Sequence, residues 1–127
     1  MSTTKEELLT LAQELASSTT EAHWRAAVSR AYYAAYHGCK DWHAALPAPG
    51  SVSGPAGGVH QTLINQLNNP APEVKNPQDK KLSKILSIRL GLLKHKRHAS
   101  DYQLSDTVDQ VVARNAYAEV TELLQKL

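Results

Sequence analysis

The sequence predicts an all-α fold, an antiparallel helical bundle of about five helices, and three observations support this class. Apolar residues recur every three or four positions over several stretches, which is the helical period. No convincing run of alternating β-branched residues is present from which a strand could form. Segments rich in proline and glycine separate the periodic stretches, as loops between helices do.

The first two helices are predicted over about residues 4–17 and 20–46. In the first, Leu8, Leu11 and Leu15 share one face. The second carries a long apolar stripe made of Trp24, Val28, Ala31, Tyr32, Ala35, Cys39 and Trp42. After this stripe, residues 47–58 contain three prolines and four glycines, which predicts a flexible surface loop.

Three further helices complete the predicted bundle. A short helix is expected over 59–68, and a break at Pro70 and Pro72 follows it. The next helix is predicted over 77–98, because a proline is well tolerated at a first helical position. The last helix is expected to open at Ser105 as its N-cap and to continue to the end of the chain. The connections are short, so successive long helices should be antiparallel.

Length and composition predict a single domain over residues 1–127. The 127 residues are 42% apolar and 20% charged, which is enough to close a core. No window of about 18 uncharged apolar residues exists, and the first residues lack the order of a secretory signal, so we expect a cytoplasmic protein with no membrane contact.

The residue types also argue against several kinds of site. Cys39 is the only cysteine, so one chain cannot form a disulfide or a cysteine-based zinc site. His95 and His98 are spaced as helical metal ligands, but no matching carboxylate and histidine set lies on a second helix. No glycine motif of the phosphate-binding type is present. We therefore predict neither a metal nor a cofactor.

The net charge of +2 is too small to indicate nucleic-acid binding by itself. Its distribution is more informative, because one dense basic run comprises Lys94, His95, Lys96, Arg97 and His98. Two interpretations stay open at this point. The run is either a surface that faces RNA or a solvated helix end, where cations favour the negative end of the helix dipole.

Two strings in the chain resemble a known family. The string SRAYYAAYH, residues 29–37, is similar to the second-helix signature of small prokaryotic HEPN proteins. The string RHASDY, residues 97–102, resembles the arginine followed by aspartate and tyrosine with which a later long helix of that family ends. With the order and length of the helices, the resemblance extends over nearly the whole chain, apart from the loop at 47–58.

The resemblance implies a HEPN helical bundle that forms a homodimer, in which two copies of a polar motif face each other across a cleft. In the ribonuclease members, this motif is an arginine separated by four to six residues from a histidine, and RNA cleavage is independent of metal. Many HEPN toxins are paired with an antitoxin such as a minimal nucleotidyltransferase. Other HEPN domains only bind nucleotides or partners.

Metal-independent RNA cleavage requires groups that move protons and a cation that stabilises the charged phosphorane, so arginine with histidine is a sensible set. Arg30 and His37 are seven positions apart and fall within about 20° of one another on a helix, in the form R-x6-H. Tyr33 and Asp41 extend this polar line. The alternative is structural, with Arg30 bound to a carboxylate and Tyr33 covering the core.

Arg97, Asp101 and Tyr102 lie where the motif of the family ends, although Asp101 or Ser100 replaces the expected histidine. The predicted catalytic residues are Arg97, Asp101, Tyr102, Arg30 and His37. The residues predicted to bind RNA or a nucleotide are Lys94, His95, Lys96, His98, Arg89 and Tyr33. Arg89 interrupts an apolar stripe and precedes His95 at a permitted spacing, and an ion pair or a dimer contact is its structural alternative.

Two hypotheses follow from these residues. The first is a HEPN-type toxin ribonuclease that acts as a homodimer. The second is a catalytically degenerate HEPN module that binds a nucleotidyltransferase-like partner, a nucleotide or RNA, and the missing histidine favours this second hypothesis.

Overall fold

A computed structural model of the chain describes residues 3–52 and 57–127, and five α-helices are the regular structure of this part. They are α1 (Lys5–Ala16), α2 (Glu21–Ala44), α3 (Val59–Asn68), α4 (Pro77–Tyr102) and α5 (Gln110–Gln125). No strand occurs among the described residues, so the prediction of an all-α fold with about five helices is confirmed. None of these helices has the length and apolar character needed to span a bilayer. Residues 53–56 of the predicted loop lie outside the described residues.

The helix boundaries agree with the predicted ones except around the last connection. The short helix at 59–68 has the predicted bounds, whereas α4 continues four residues beyond the predicted end at 98. The prediction of Ser105 as the N-cap of the last helix is wrong. Asp109 is the N-cap, and its carboxylate accepts a hydrogen bond from the backbone N–H of Val112 at 3.0 Å. The backbone between α4 and α5 is instead bound by side chains of α2, as described below.

The chain divides into two compact units, and the division points lie within α2 and α4. The first unit comprises Met1–Gly38 and Leu93–Leu127, and the second comprises Cys39–Leu92. The single domain expected from the composition stays a prediction.

In the first unit, small side chains form the contact between helices. Ala16, Ala27 and Ala113 make a buried cluster from α1, α2 and α5, and Leu15 and Trp24 pack against it. Because alanine adds little bulk, the backbones of these helices approach closely. The end of α1 is capped by neighbouring side chains in two ways: the Trp24 indole donates to the Ser18 carbonyl at 2.9 Å, and the Gln110 amide donates to the Ala16 carbonyl at 3.0 Å.

In the second unit, buried serines bind α4 to α3. The Ser83 hydroxyl donates to the Leu67 carbonyl at 2.6 Å, and the Ser87 hydroxyl donates to the Ile64 carbonyl at 2.8 Å. Both serines are buried, so each hydroxyl needs such a partner. The apolar core side chains of this unit include Leu63, Leu67, Val74, Leu86 and Leu90.

The start of the predicted loop is attached to the second unit by hydrogen bonds. The backbone N–H of Gly50 donates to Nε2 of His43 at 3.0 Å, and that of Ser51 donates to the Asn69 carbonyl at 3.0 Å. His43 is buried, and burial lowers the pKa of its imidazole. Because Nε2 accepts the Gly50 hydrogen bond, this nitrogen carries no proton in the structure.

We expect Gly50→Ala to lower the free energy of unfolding by about 1–3 kcal/mol, because overpacking forces its neighbours to move. A Cβ atom at Gly50 would lie 2.8 Å from the Asn69 carbonyl oxygen and would also collide with the carbonyl of Gln66. Backbone atoms move less readily than the end of a side chain. Urea unfolding followed by circular dichroism measures the change.

Gly91→Ala is the matched control for this substitution. Gly91 lies inside α4, and a Cβ atom there meets nothing within 4 Å. This variant should be more stable than the wild type by up to about 1 kcal/mol, because alanine favours helices over glycine. A Gly50→Ala protein as stable as the wild type would contradict the close approach of the loop to α3.

Candidate functional site

A buried arginine on α2 holds the end of α4. Arg25 is 9% exposed, and its Nη1 donates to the carbonyls of Ser100 at 2.9 Å and Gln103 at 3.3 Å. Its Nη2 donates to the Asp106 carbonyl. The last carbonyls of a helix have no partner within it and carry the negative end of its dipole, so a guanidinium suits them both as a donor and as a cation.

Glu21, one turn before Arg25, extends this anchor to the start of the last connection. Its Oε2 lies 3.7 Å from Arg25 Nε, and its Oε1 accepts a hydrogen bond from the backbone N–H of Val108 at 3.1 Å. Arg25 and Glu21 together therefore form hydrogen bonds with backbone groups near both ends of the connection between α4 and α5. These contacts hold residues 105–108 outside the last helix, although Ser105 was predicted to begin it.

The anchored end of α4 carries an ion pair between two predicted site residues. Nη1 of Arg97 lies 3.5 Å from Oδ2 of Asp101, one turn further along the helix. The Ser29 hydroxyl of α2 donates to the same oxygen at 3.4 Å. The side chains of Arg97 and Asp101 are 14% and 28% exposed, so the pair is mostly shielded from water and its charges interact more strongly than at an open surface.

The Arg97 guanidinium also contacts two aromatic rings of α2. Its Cζ lies 5.4 Å from the ring centre of Tyr32 and 5.8 Å from that of Tyr33, within the range of cation–π attraction. Cζ of Arg30 lies 5.8 Å from the Tyr33 ring as well, so two guanidinium groups share this ring. Nε of Arg97 is buried and has no hydrogen-bond partner among the described residues.

Tyr102, His98 and His37 make ring contacts that do not involve the Arg97 guanidinium. The rings of His98 and Tyr102 are 4.9 Å apart with a tilt of 43°, and Tyr102 is 66% exposed. His37 is also exposed and contacts the edge of the Tyr36 ring at 5.3 Å. In the part of the chain that the structure describes, no hydrogen bond, ion pair or ring contact joins Arg97 to a histidine.

The basic run before this site is unevenly accessible. Lys96 forms an ion pair of 3.1 Å with Glu119 of α5, so part of its charge is compensated. His95 and His98 are exposed, and Lys94 is half-buried. Of the two arginines in this region, Arg30 is exposed, whereas Arg97 is largely shielded from solvent.

Arg89 lies in the second unit and has a different environment. It is half-buried, and its charge acts on the thiol of the fully buried Cys39. Burial raises the pKa of Cys39 to about 12, and the opposing effect of Arg89 is smaller. The thiol is therefore protonated at neutral pH. His95 belongs to the first unit, so the pairing of Arg89 with His95 stays a prediction.

The described residues contain no cluster of three or more histidine, cysteine, aspartate or glutamate side chains placed to hold a metal ion. Comparison of the chain with models of known protein families, with curated proteins and with solved structures found no match. The resemblance to HEPN proteins therefore stays a prediction from residues 29–37 and 97–102 and from the order and length of the helices.

Three residues that hold this site in place, Arg25, Ser29 and Tyr32, were not among the predicted site residues. These residues share a face of α2, because they are spaced by four and three positions. A signal was present, since Arg25 is a charged residue on a face that is otherwise buried, and a buried arginine requires acceptors. Which acceptors it has could not be inferred, because they are backbone carbonyls more than 70 residues away.

We expect Arg25→Met to lower the free energy of unfolding by about 2–4 kcal/mol. Methionine keeps much of the buried volume but removes the donors to the Ser100 and Asp106 carbonyls and the cation beside Glu21. Urea unfolding measures the loss.

Arg30→Met is the matched control on the same helix. Arg30 is exposed, so its replacement should cost less than about 1 kcal/mol. Equal losses in the two variants would contradict the anchoring role of Arg25.

Proposed function

We propose that this chain is a HEPN-like helical module that binds single-stranded RNA as a homodimer, with its site at the end of α4. The observation that carries the proposal is the exposed ring pair of His98 and Tyr102, in which each residue directly follows one member of the shielded ion pair of Arg97 and Asp101. Proteins that bind single strands combine cations, which contact phosphates, with aromatic rings, on which bases stack.

In this site, different residues would supply the stacking contact with a base and the contact with a phosphate. Tyr102 offers a largely exposed ring for a base, and its position is defined because Arg25 fixes the end of α4. Arg30 is exposed beside Tyr33 and supplies a cation for a phosphate. Arg97 is largely shielded from solvent, so it offers little surface to an RNA strand. Its role in this proposal is to hold Asp101 and the rings of Tyr32 and Tyr33 in position.

The proposal of a homodimer rests on the resemblance to HEPN proteins and on accessible apolar surface in the first unit. Leu104 and Val111 are 73% and 62% exposed, next to the same connection that Arg25 anchors. Large exposed apolar groups of this kind are frequent where a protein meets a partner. In a symmetric dimer, the same surface of both copies would be covered.

We expect a fluorescently labelled single-stranded RNA of about 12 nucleotides to bind the protein with an affinity that falls as salt rises. Tyr102→Leu should weaken binding by about fivefold to a hundredfold, since one stacked base contributes about 1–3 kcal/mol. Tyr102→Phe should retain the affinity, because it keeps the ring. Fluorescence anisotropy measures both.

Lys126→Gln tests whether the loss of any positive charge weakens RNA binding. Lys126 is the second-last residue of the chain and pairs with Glu122. The substitution should leave RNA binding unchanged. Loss of affinity in Lys126→Gln to the same degree as in Tyr102→Leu, or the absence of saturable binding, would rule out the proposed RNA site. Copurification of a nucleotidyltransferase-like protein without RNA binding would favour a protein-binding module instead.

A second candidate function is a toxin-type, metal-independent ribonuclease, with a nucleotidyltransferase-like protein as its antitoxin. The observation that favours it is that Arg30 and His37 are both exposed on α2, where a substrate phosphate could reach them. In the homodimer that the HEPN resemblance implies, the second copy could complete a cleavage site that uses His37 and Arg97.

For this candidate, we expect the purified protein to cleave RNA in the presence of EDTA and its expression to slow cell growth. His37→Ala and Arg97→Ala should abolish both effects, since the proton-transfer group or the cation is lost. Gel electrophoresis of RNA and growth curves measure them, and circular dichroism establishes that the variants are folded. Intact RNA in the presence of wild-type protein would exclude the ribonuclease and leave RNA binding without cleavage.

A further inference from the structure

The second unit contains an open cleft where the end of α3 meets the first turns of α4. Its volume is about 470 Å³, within the range of sites for small molecules. Its walls include Ser51, Asn68, Pro70, Pro72, Lys80 and Lys84. No wall residue is acidic, so the charge of the cleft is positive at neutral pH.

The two lysines of the cleft are placed unfavourably for the helix that carries them. Lys80 and Lys84 lie one turn apart on α4, and like charges at this spacing destabilise a helix. Lys80 also lies in its first turn, where the helix dipole disfavours cations. Neither lysine forms an ion pair with a carboxylate of the described residues. An anion in the cleft would offset these costs.

The walls of the cleft are formed before any ligand arrives. The backbone N–H of Ser51 donates to the Asn69 carbonyl at 3.0 Å, and the Asn69 amide donates to the Asn65 carbonyl at 3.0 Å. Pro70 and Pro72 restrict the backbone of the next wall, since proline fixes φ. A preformed cleft loses little conformational freedom on binding.

We propose that this cleft binds a small phosphate monoester. Two ammonium groups, a serine hydroxyl and an asparagine amide supply several hydrogen-bond donors, and a phosphate supplies a matching number of acceptor oxygens with a charge close to −2. The prolines provide an apolar wall for the rest of the molecule. The cleft lies in the second unit and the proposed RNA site in the first, so the two proposals stand or fall separately.

Titration of the ¹⁵N-labelled full chain, followed by two-dimensional NMR, tests the proposal. Inorganic phosphate and glycerol 3-phosphate should each cause saturable shifts of the amide signals of Ser51, Asn68 and Lys80. Glycerol, and sodium chloride at equal ionic strength, should not. Lys80→Gln and Lys84→Gln should each weaken binding about tenfold or more, because each removes a charged hydrogen-bond donor.

Lys81→Gln is the matched control, because Lys81 is an exposed lysine next to Lys80 but does not line the cleft. It should retain the affinity of the wild type. Equal weakening in Lys81→Gln would reveal unspecific attraction and overturn the proposal, and so would the absence of saturable shifts. A single-stranded RNA that shifts the cleft amides where glycerol 3-phosphate does not would overturn it as well.

Discussion

The candidate site depends on the capping of α4 by Arg25. A helix of 26 residues ends in carbonyls that have no partner within the helix, and here the guanidinium of a buried arginine supplies the donors. The same side chain, with Glu21, binds the connection to α5. Because Arg97, Asp101 and Tyr102 lie on the last two turns of α4, their positions follow from this contact. A change at Arg25 would therefore disturb the site without touching a ligand.

The site itself combines a shielded ion pair with exposed groups, and the two parts have different uses. Arg97 pairs with Asp101, contacts the rings of Tyr32 and Tyr33 and is largely shielded from solvent. Arg30, His98 and Tyr102 are exposed and can meet a ligand. This division supports a surface for binding a polyanion more directly than a catalytic centre, because no described contact brings a histidine to Arg97.

In the second unit, hydrogen bonds between uncharged groups hold the backbone in place, as Arg25 does in the first unit. Ser83 and Ser87 bind carbonyls of α3, and His43 accepts the backbone N–H of Gly50. These contacts keep the loop start and the end of α3 in place without buried charge, which would need a partner. The charged residues of this region, such as Lys80 and Lys84, are consequently left for the surface of the cleft.

Local patterns in the sequence determined the all-α class, the five helices and the bounds of α3, because periodicity, proline and glycine act over a few residues. They also identified Arg97 and Asp101, which are one helical turn apart and now form an ion pair. Only the tertiary structure decided that α5 begins after Asp109, that Ser29 joins Asp101 and that Arg25 caps α4. The contacts that Arg25, Glu21 and Ser29 make with this region join residues 72 to 87 positions apart in the chain, and a local pattern carries no information about which distant group satisfies a backbone group or a carboxylate.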